Sequence, residues 1–156
     1  MRHVVASVCI AGTLSLPVIA SQSGGATAGQ KIRVCSILTR ELAMKVSTAD
    51  GKTQIEKTKP IEDPIPQPSC QIGRVMLVVD PFPKPEYTRK NLGKQWQPVP
   101  GIGEAAFYWG TNQFGNLFVF TTPHNFSIEI TKGDEPDEVV KANAIALAKE
   151  VLPKLR

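Results

Sequence analysis

The chain has 156 residues, with 18 lysines and arginines against 14 aspartates and glutamates, for a formal charge of +4. The basic residues are spread along the sequence, which argues against a nucleic acid or other polyanion as partner. No internal repeat recurs at solenoid or propeller periods, so a repeat architecture is set aside as well.

The N-terminus opens with Arg2 and His3, followed by an apolar, uncharged run over residues 4–20 that ends in the small residue Ala20. A short positive start, an apolar stretch and a small-residue end are the layout of a secretory signal peptide. Cleavage is expected after Ala20, with Ala28 as the second candidate; Ser7, Thr13, Ser15 and Pro17 make the run too polar and too short for a stable membrane span. Without Arg2 the balance becomes 17 basic to 14 acidic residues. Residues 21–31 are small and polar and read as a flexible leader, and residues 32–156 as a single domain of ordinary size. Export places the domain in an oxidising compartment, secreted or periplasmic. There Cys35 and Cys70 are expected to be bridged rather than to act as nucleophiles or metal ligands.

Within the domain, Ile37, Leu38, Leu42 and Val46 recur at helical spacing, with Ser36 or Thr39 available as N-cap. Residues 49–52 read as the turn that ends this helix, and residues 53–58 as an edge strand carrying lysines. Four prolines in residues 60–68 exclude a regular helix or a central strand there. The β-branched run at residues 74–79 predicts a central strand, and Pro85 a short helix through about Leu92. Residues 105–109, 117–122 and 126–131 read as an antiparallel meander, with turns at residues 110–112, 115–116 and 123–125. Phe126, Ile128 and Ile130 share one face of the last strand. A final helix carries the apolar stripe Val140, Ala144, Leu147, Ala148 and Val151 and ends at Pro153. The expected fold is α+β: an antiparallel sheet of about five strands with an N-terminal and a C-terminal helix packed on it.

Catalytic chemistry finds little support. His124 is the only histidine beyond residue 20 and sits between Pro123 and Asn125, in a turn. No spacing supplies it with a triad partner or a metal cluster. Glu62, Asp63, Asp80, Glu86 and Glu104 would have to meet in space to act as paired carboxylates, and that arrangement, a small envelope hydrolase, is the alternative reading. Residues 101–106 match G-x-G-x-x-A, but prolines precede the motif and an aromatic strand follows it, so a dinucleotide site is excluded. Asn125, Phe126 and Ser127 form a chance glycosylation triplet. We expect no catalytic residue, no metal and no cofactor.

Aromatic residues concentrate between residues 96 and 126, and strand alternation must turn some of them away from the core. The candidate binding surface combines Tyr87 and Trp96, the Gly101 and Gly103 turn, and Tyr108 and Trp109 on the following strand. Its attractions are aromatics, nearby positive charge, and glycines that permit close backbone approach.

Cys35 opening a helix, Cys70 opening a strand, the glycine turn of residues 99–106 and the closing stretch of residues 146–155 together resemble a family of short exported bacterial domains of unknown function, many of them lipoproteins. Over residues 33–155 the resemblance implies an α+β fold, a Cys35–Cys70 disulfide and kinship with extracellular sensor modules. It brings no catalytic residue. The chain departs from the family in lacking a cysteine suited to lipid attachment at its cleavage site. The expected function is that of a non-enzymatic envelope module that binds a small ligand or an envelope protein.

Overall fold

A computed structural model describes residues 32–47, 49–63, 67–81 and 95–156. The expected signal peptide and leader, the short helix from Pro85, and Glu86 and Tyr87 lie outside the described residues. The described residues belong to one compact unit, Ile32–Arg156.

The described residues open with three short helices, α1 (Val34–Ile37), α2 (Arg40–Lys45) and α3 (Ala49–Lys57). Strands β1 (Ile61–Asp63), β2 (Ser69–Ile72) and β3 (Val75–Val79) follow, then β4 (Gln97–Pro98), β5 (Ala105–Gly110), β6 (Phe114–Phe120) and β7 (Phe126–Thr131). Helix α4 (Asp137–Val151) and a 3₁₀ turn at Leu152–Lys154 complete the unit. The strands form one sheet in the order β1-β2-β3-β7-β6-β5-β4, every pairing antiparallel. The α+β class, the antiparallel sheet and the C-terminal helix follow the sequence reading; where about five strands were expected, the described residues form seven.

Three local expectations are corrected. The single N-terminal helix is broken at Thr39, whose backbone is extended (φ −83°, ψ 159°) and whose Oγ1 accepts a hydrogen bond from Leu42 N at 3.3 Å. A side chain that caps a new helix start cannot also continue the preceding one. The expected turn at residues 49–52 and strand at 53–58 are instead α3, which buries Gly51 and Ile55 one turn apart and exposes Lys52, Thr53, Gln54, Glu56 and Lys57. The expected turn at Gly115 and Asn116 lies within β6. The reversal sits earlier, where Thr111 Oγ1 accepts from Gln113 N and Phe114 N, both at 3.1 Å.

The core lies on one face of the sheet. Val75, Leu77 and Val79 of β3, Phe126, Ile128 and Ile130 of β7, Leu117 and Val119 of β6, and Tyr108 of β5 point to it. Helix α4 closes that face over β5, β6 and β7 with Val140, Ala144, Leu147, Ala148 and Val151, all buried. Helix α1 packs over β1, β2 and β3, and Leu38, Leu42, Ala43 and Val46 join the same core. Cys35 of α1 and Cys70 of β2 form a disulfide, their Cα atoms 5.0 Å apart. Alternation along β5 and β6 sends Phe107, Phe118 and Phe120 to the opposite face, where they form a second, smaller apolar cluster with Trp96 and Ala105.

Candidate functional site

That second cluster continues along the sheet as a ladder of rings. Trp96 stacks on Trp109 with centroids 5.9 Å apart and planes 28° apart. It also meets Phe118 edge-on at 4.9 Å. Trp109 in turn meets Phe114 edge-on at 5.4 Å. Phe118 is buried, whereas Trp96, Trp109 and Phe114 are only half-buried. Aromatic pairs in these offset and edge-to-face arrangements hold one another rigidly, which preforms the surface they present.

Polar groups are set among the rings. The strand register puts Asn116 directly across from Trp109 on one side and from Glu129 on the other. Asn116 Nδ2 donates to Glu129 Oε2 at 3.4 Å, and Trp109 Nε1 donates to Gln95 Oε1 at 3.1 Å. Burial pushes the Glu129 carboxyl above its ordinary value, against the opposing pull of the Asn116 hydrogen bond. Trp96 Nε1 and Asn116 Oδ1 are both buried without a hydrogen-bond partner.

Of the residues expected at a binding surface, Trp96 and Trp109 come together in this ladder. Gly101 and Gly103 form the turn leading into β5, with φ of 81° and 60°. A Cβ at Gly103 would lie 2.9 Å from Val119 Cγ1 and run into the Phe120 carbonyl, so this glycine serves the close packing of the turn on β6. Beside the turn, Pro98, Val99, Pro100, Ala105, Ala106 and Phe107 line an open apolar cleft of about 320 Å³. Tyr108 is corrected: adjacent to Trp109 in sequence, it projects from the opposite face of β5, is fully buried, and donates its hydroxyl to Asp137 Oδ1 at 2.8 Å. Tyr87 lies outside the described residues. Phe114 was missed because its segment was read as a loop; the signal that finds it is the extension of β6 back through Gly115.

Tyr108 belongs to a polar cluster under the start of α4. Lys132 Nζ donates to Asp137 Oδ1 and to the Thr111 carbonyl. Lys141 lies 5.7 Å from the Tyr108 ring centroid and donates to Gln97 Oε1 at 2.6 Å. Burial first, then the Asp137 hydrogen bond and charge, push the Tyr108 hydroxyl far above its ordinary value. It is therefore a neutral donor and not a nucleophile. For Asp137, burial acts upward, but the hydrogen bonds from Lys132 and Tyr108, with the charges of Lys132 and Lys141, outweigh it and hold the carboxyl low. This cluster ties the helix to the sheet.

At the far end of β3, His124 Nδ1 lies 2.8 Å from Asp80 Oδ2, and Asp80 Oδ1 accepts from Asn125 N at 3.0 Å. Asp80 adopts φ 52° and its own N–H donates to the Asn125 carbonyl. Thr122 Oγ1 donates to Glu104 Oε1 at 2.8 Å. Both carboxylates thus brace the β6–β7 loop. Glu62 accepts from Cys35 N at 3.3 Å on the opposite edge strand. Among the described residues no group of three His, Cys, Asp or Glu side chains is placed to hold a metal ion. Among them, too, no helix is long and apolar enough to cross a membrane. Compared with models of protein families, with curated proteins and with solved structures, the chain matches none.

Proposed function

We infer that the protein is an exported, non-enzymatic binding module of the cell envelope, freed of a signal peptide by cleavage after Ala20, and that its contact surface is the ring ladder on the face opposite α4. One observation carries this reading: the chain's two tryptophans stack on each other in a half-buried position, outside the main core. Rigid, partly exposed aromatics lose little entropy on contact and are the residues that anchor small ligands and partner proteins alike. The Cys35–Cys70 bridge suits the oxidising compartment that export implies. The resemblance to short exported domains related to sensor modules agrees with such a role. The hydrolase alternative draws no support from Asp80 and Glu104, whose carboxylates are taken up by the loop they brace.

Quenching of tryptophan fluorescence by acrylamide tests the surface. Partial accessibility of the indoles, with Trp109→Ala keeping the fold and abolishing binding, supports the reading. Full shielding of both indoles, with Trp96→Ala lowering stability alone, overturns it. Intact mass of exported material checks the processing, with loss of residues 1–20 as the expected result.

A further inference from the structure

We propose that the ring ladder binds a neutral saccharide, with Trp96 and Trp109 stacking on the sugar and Trp96 Nε1 and Asn116 Oδ1 pairing with its hydroxyls. The proposal rests on the binding-module reading and names its ligand class. Trp96 touches both Trp109 and Phe118, while Asn116 stands across from Trp109 and two residues from Phe118 on the same face of β6. The unpaired indole N–H and the unpaired amide oxygen therefore border one patch.

Their neighbours are satisfied: Trp109 Nε1 by Gln95, and Asn116 Nδ2 by Glu129. Buried polar groups are almost always paired, so a donor and an acceptor both left unpaired within this ladder call for a group that can both accept and donate. A hydroxyl does both. A sugar ring supplies several hydroxyls, together with a flat C–H face that lies against an aromatic ring. The charge of the row narrows the choice. Met76, Glu129, Asn116 and Trp109 are consecutive partners across β3, β7, β6 and β5, so a ligand at Asn116 sits next to the Glu129 carboxyl. That carboxyl repels phosphate, sulfate or carboxylate groups at short range and is compatible with a neutral ring. An apolar ligand would occupy the rings and leave both open polar atoms unpaired.

Both tryptophans of the chain lie in the patch, so their fluorescence and their two indole N–H resonances report on it directly. The full chain is titrated with maltotriose and with tri-N-acetylchitotriose to about 10 mM, and with 1-hexanol as an uncharged apolar probe. The expected result is saturable binding of a neutral oligosaccharide with a shift of the Trp96 indole N–H. Trp109→Ala and Asn116→Leu, each with an unchanged far-ultraviolet spectrum, weaken it by about tenfold or more. Should Trp109→Ala fail to fold, Trp109→Phe replaces it. Oligosaccharide binding that both variants leave intact overturns the assigned site. Binding of 1-hexanol alone overturns the saccharide while leaving a binding module standing. Silence toward all three probes overturns the saccharide, and the accessibility of the indoles to acrylamide then decides whether a binding module stands.

Discussion

A methyl group on Gly115 would sit 2.7 Å from Val140 Cγ1 and against the Tyr108 hydroxyl; one on Gly110, its partner across β5 and β6, would meet the Asp137 carboxylate. These two glycines leave the space in which the start of α4 docks on the sheet. We predict that Gly115→Ala lowers stability by about 1–3 kcal/mol in urea denaturation, because neither the strand nor the helix can retreat without breaking its own packing. The carboxylates nearby give opposite dependences on pH. Asp137 is held below its ordinary value, so its contribution is complete above an unfolded pKa of about 3.9 and is lost as pH falls through the folded one. Asp137→Asn should accordingly cost stability at pH 6 and less at pH 2. Glu129 is raised, so the folded state holds its proton more tightly and stability declines as pH rises above about 4.3. Glu129→Gln is expected to match the wild type at pH 4 and exceed it at pH 7. Thermal melts across pH check both signs. Little of this was legible beforehand. Gly110 and Gly115 resemble turn residues until it is known that a helix terminus and a tyrosine occupy the space beside them. Tyr108 belonged by composition to the same aromatic run as Trp109, and one residue of strand alternation sends it to the other face.

Among the elements, the Cys35–Cys70 bridge joins α1 to β2 across a separation of 35 residues. In the chain-entropy account a loop of that size stabilises by about 3–4 kcal/mol. The Cys35→Ala, Cys70→Ala double variant is predicted to melt well below the wild type, and the wild type to move to the same temperature in reductant. Intact mass of the unreduced protein should be two hydrogens below that of the reduced protein; unchanged mass would remove the bridge from the account. Elements with a strong apolar period were readable: the stripe of α4 and the strands β3 and β7 follow directly from theirs. Helix α3 was not. Among its residues of described burial, Gly51 and Ile55 are the buried ones, and a glycine adds no apolar signal to mark the second point of a period. Ile55 in turn lies close over Gly73, where an added Cβ would meet it at 2.8 Å. The edge strands β1 and β4 have three and two residues, too short for alternation to show, and all five of these residues are exposed.

For the whole molecule, the α+β class was legible because helical and strand periods occupy separate stretches of the chain. The ladder was half-legible: composition concentrated the rings, but only the register of β5 and β6 says which of them share a face. The same register has a kinetic side. Strands β5, β6 and β7 follow one another through short turns, whereas β3 meets β7 with Val79 opposite Phe126, partners about 50 residues apart. The sheet is thus a local meander joined along one seam to an N-terminal portion that has to find it across a long loop. Closing that loop costs entropy before any contact rewards it, so the meander with α4 should form first and the seam should limit the rate. Chevron measurements would then show Val119→Ala, inside the meander, slowing refolding, while Ile37→Val in α1 acts on unfolding alone. A chain arrested at that stage would present the unpaired edge of β7, lined by Phe126, Ile128 and Ile130. The seam β3 covers is therefore where the protein is most open to intermolecular strand pairing while it folds.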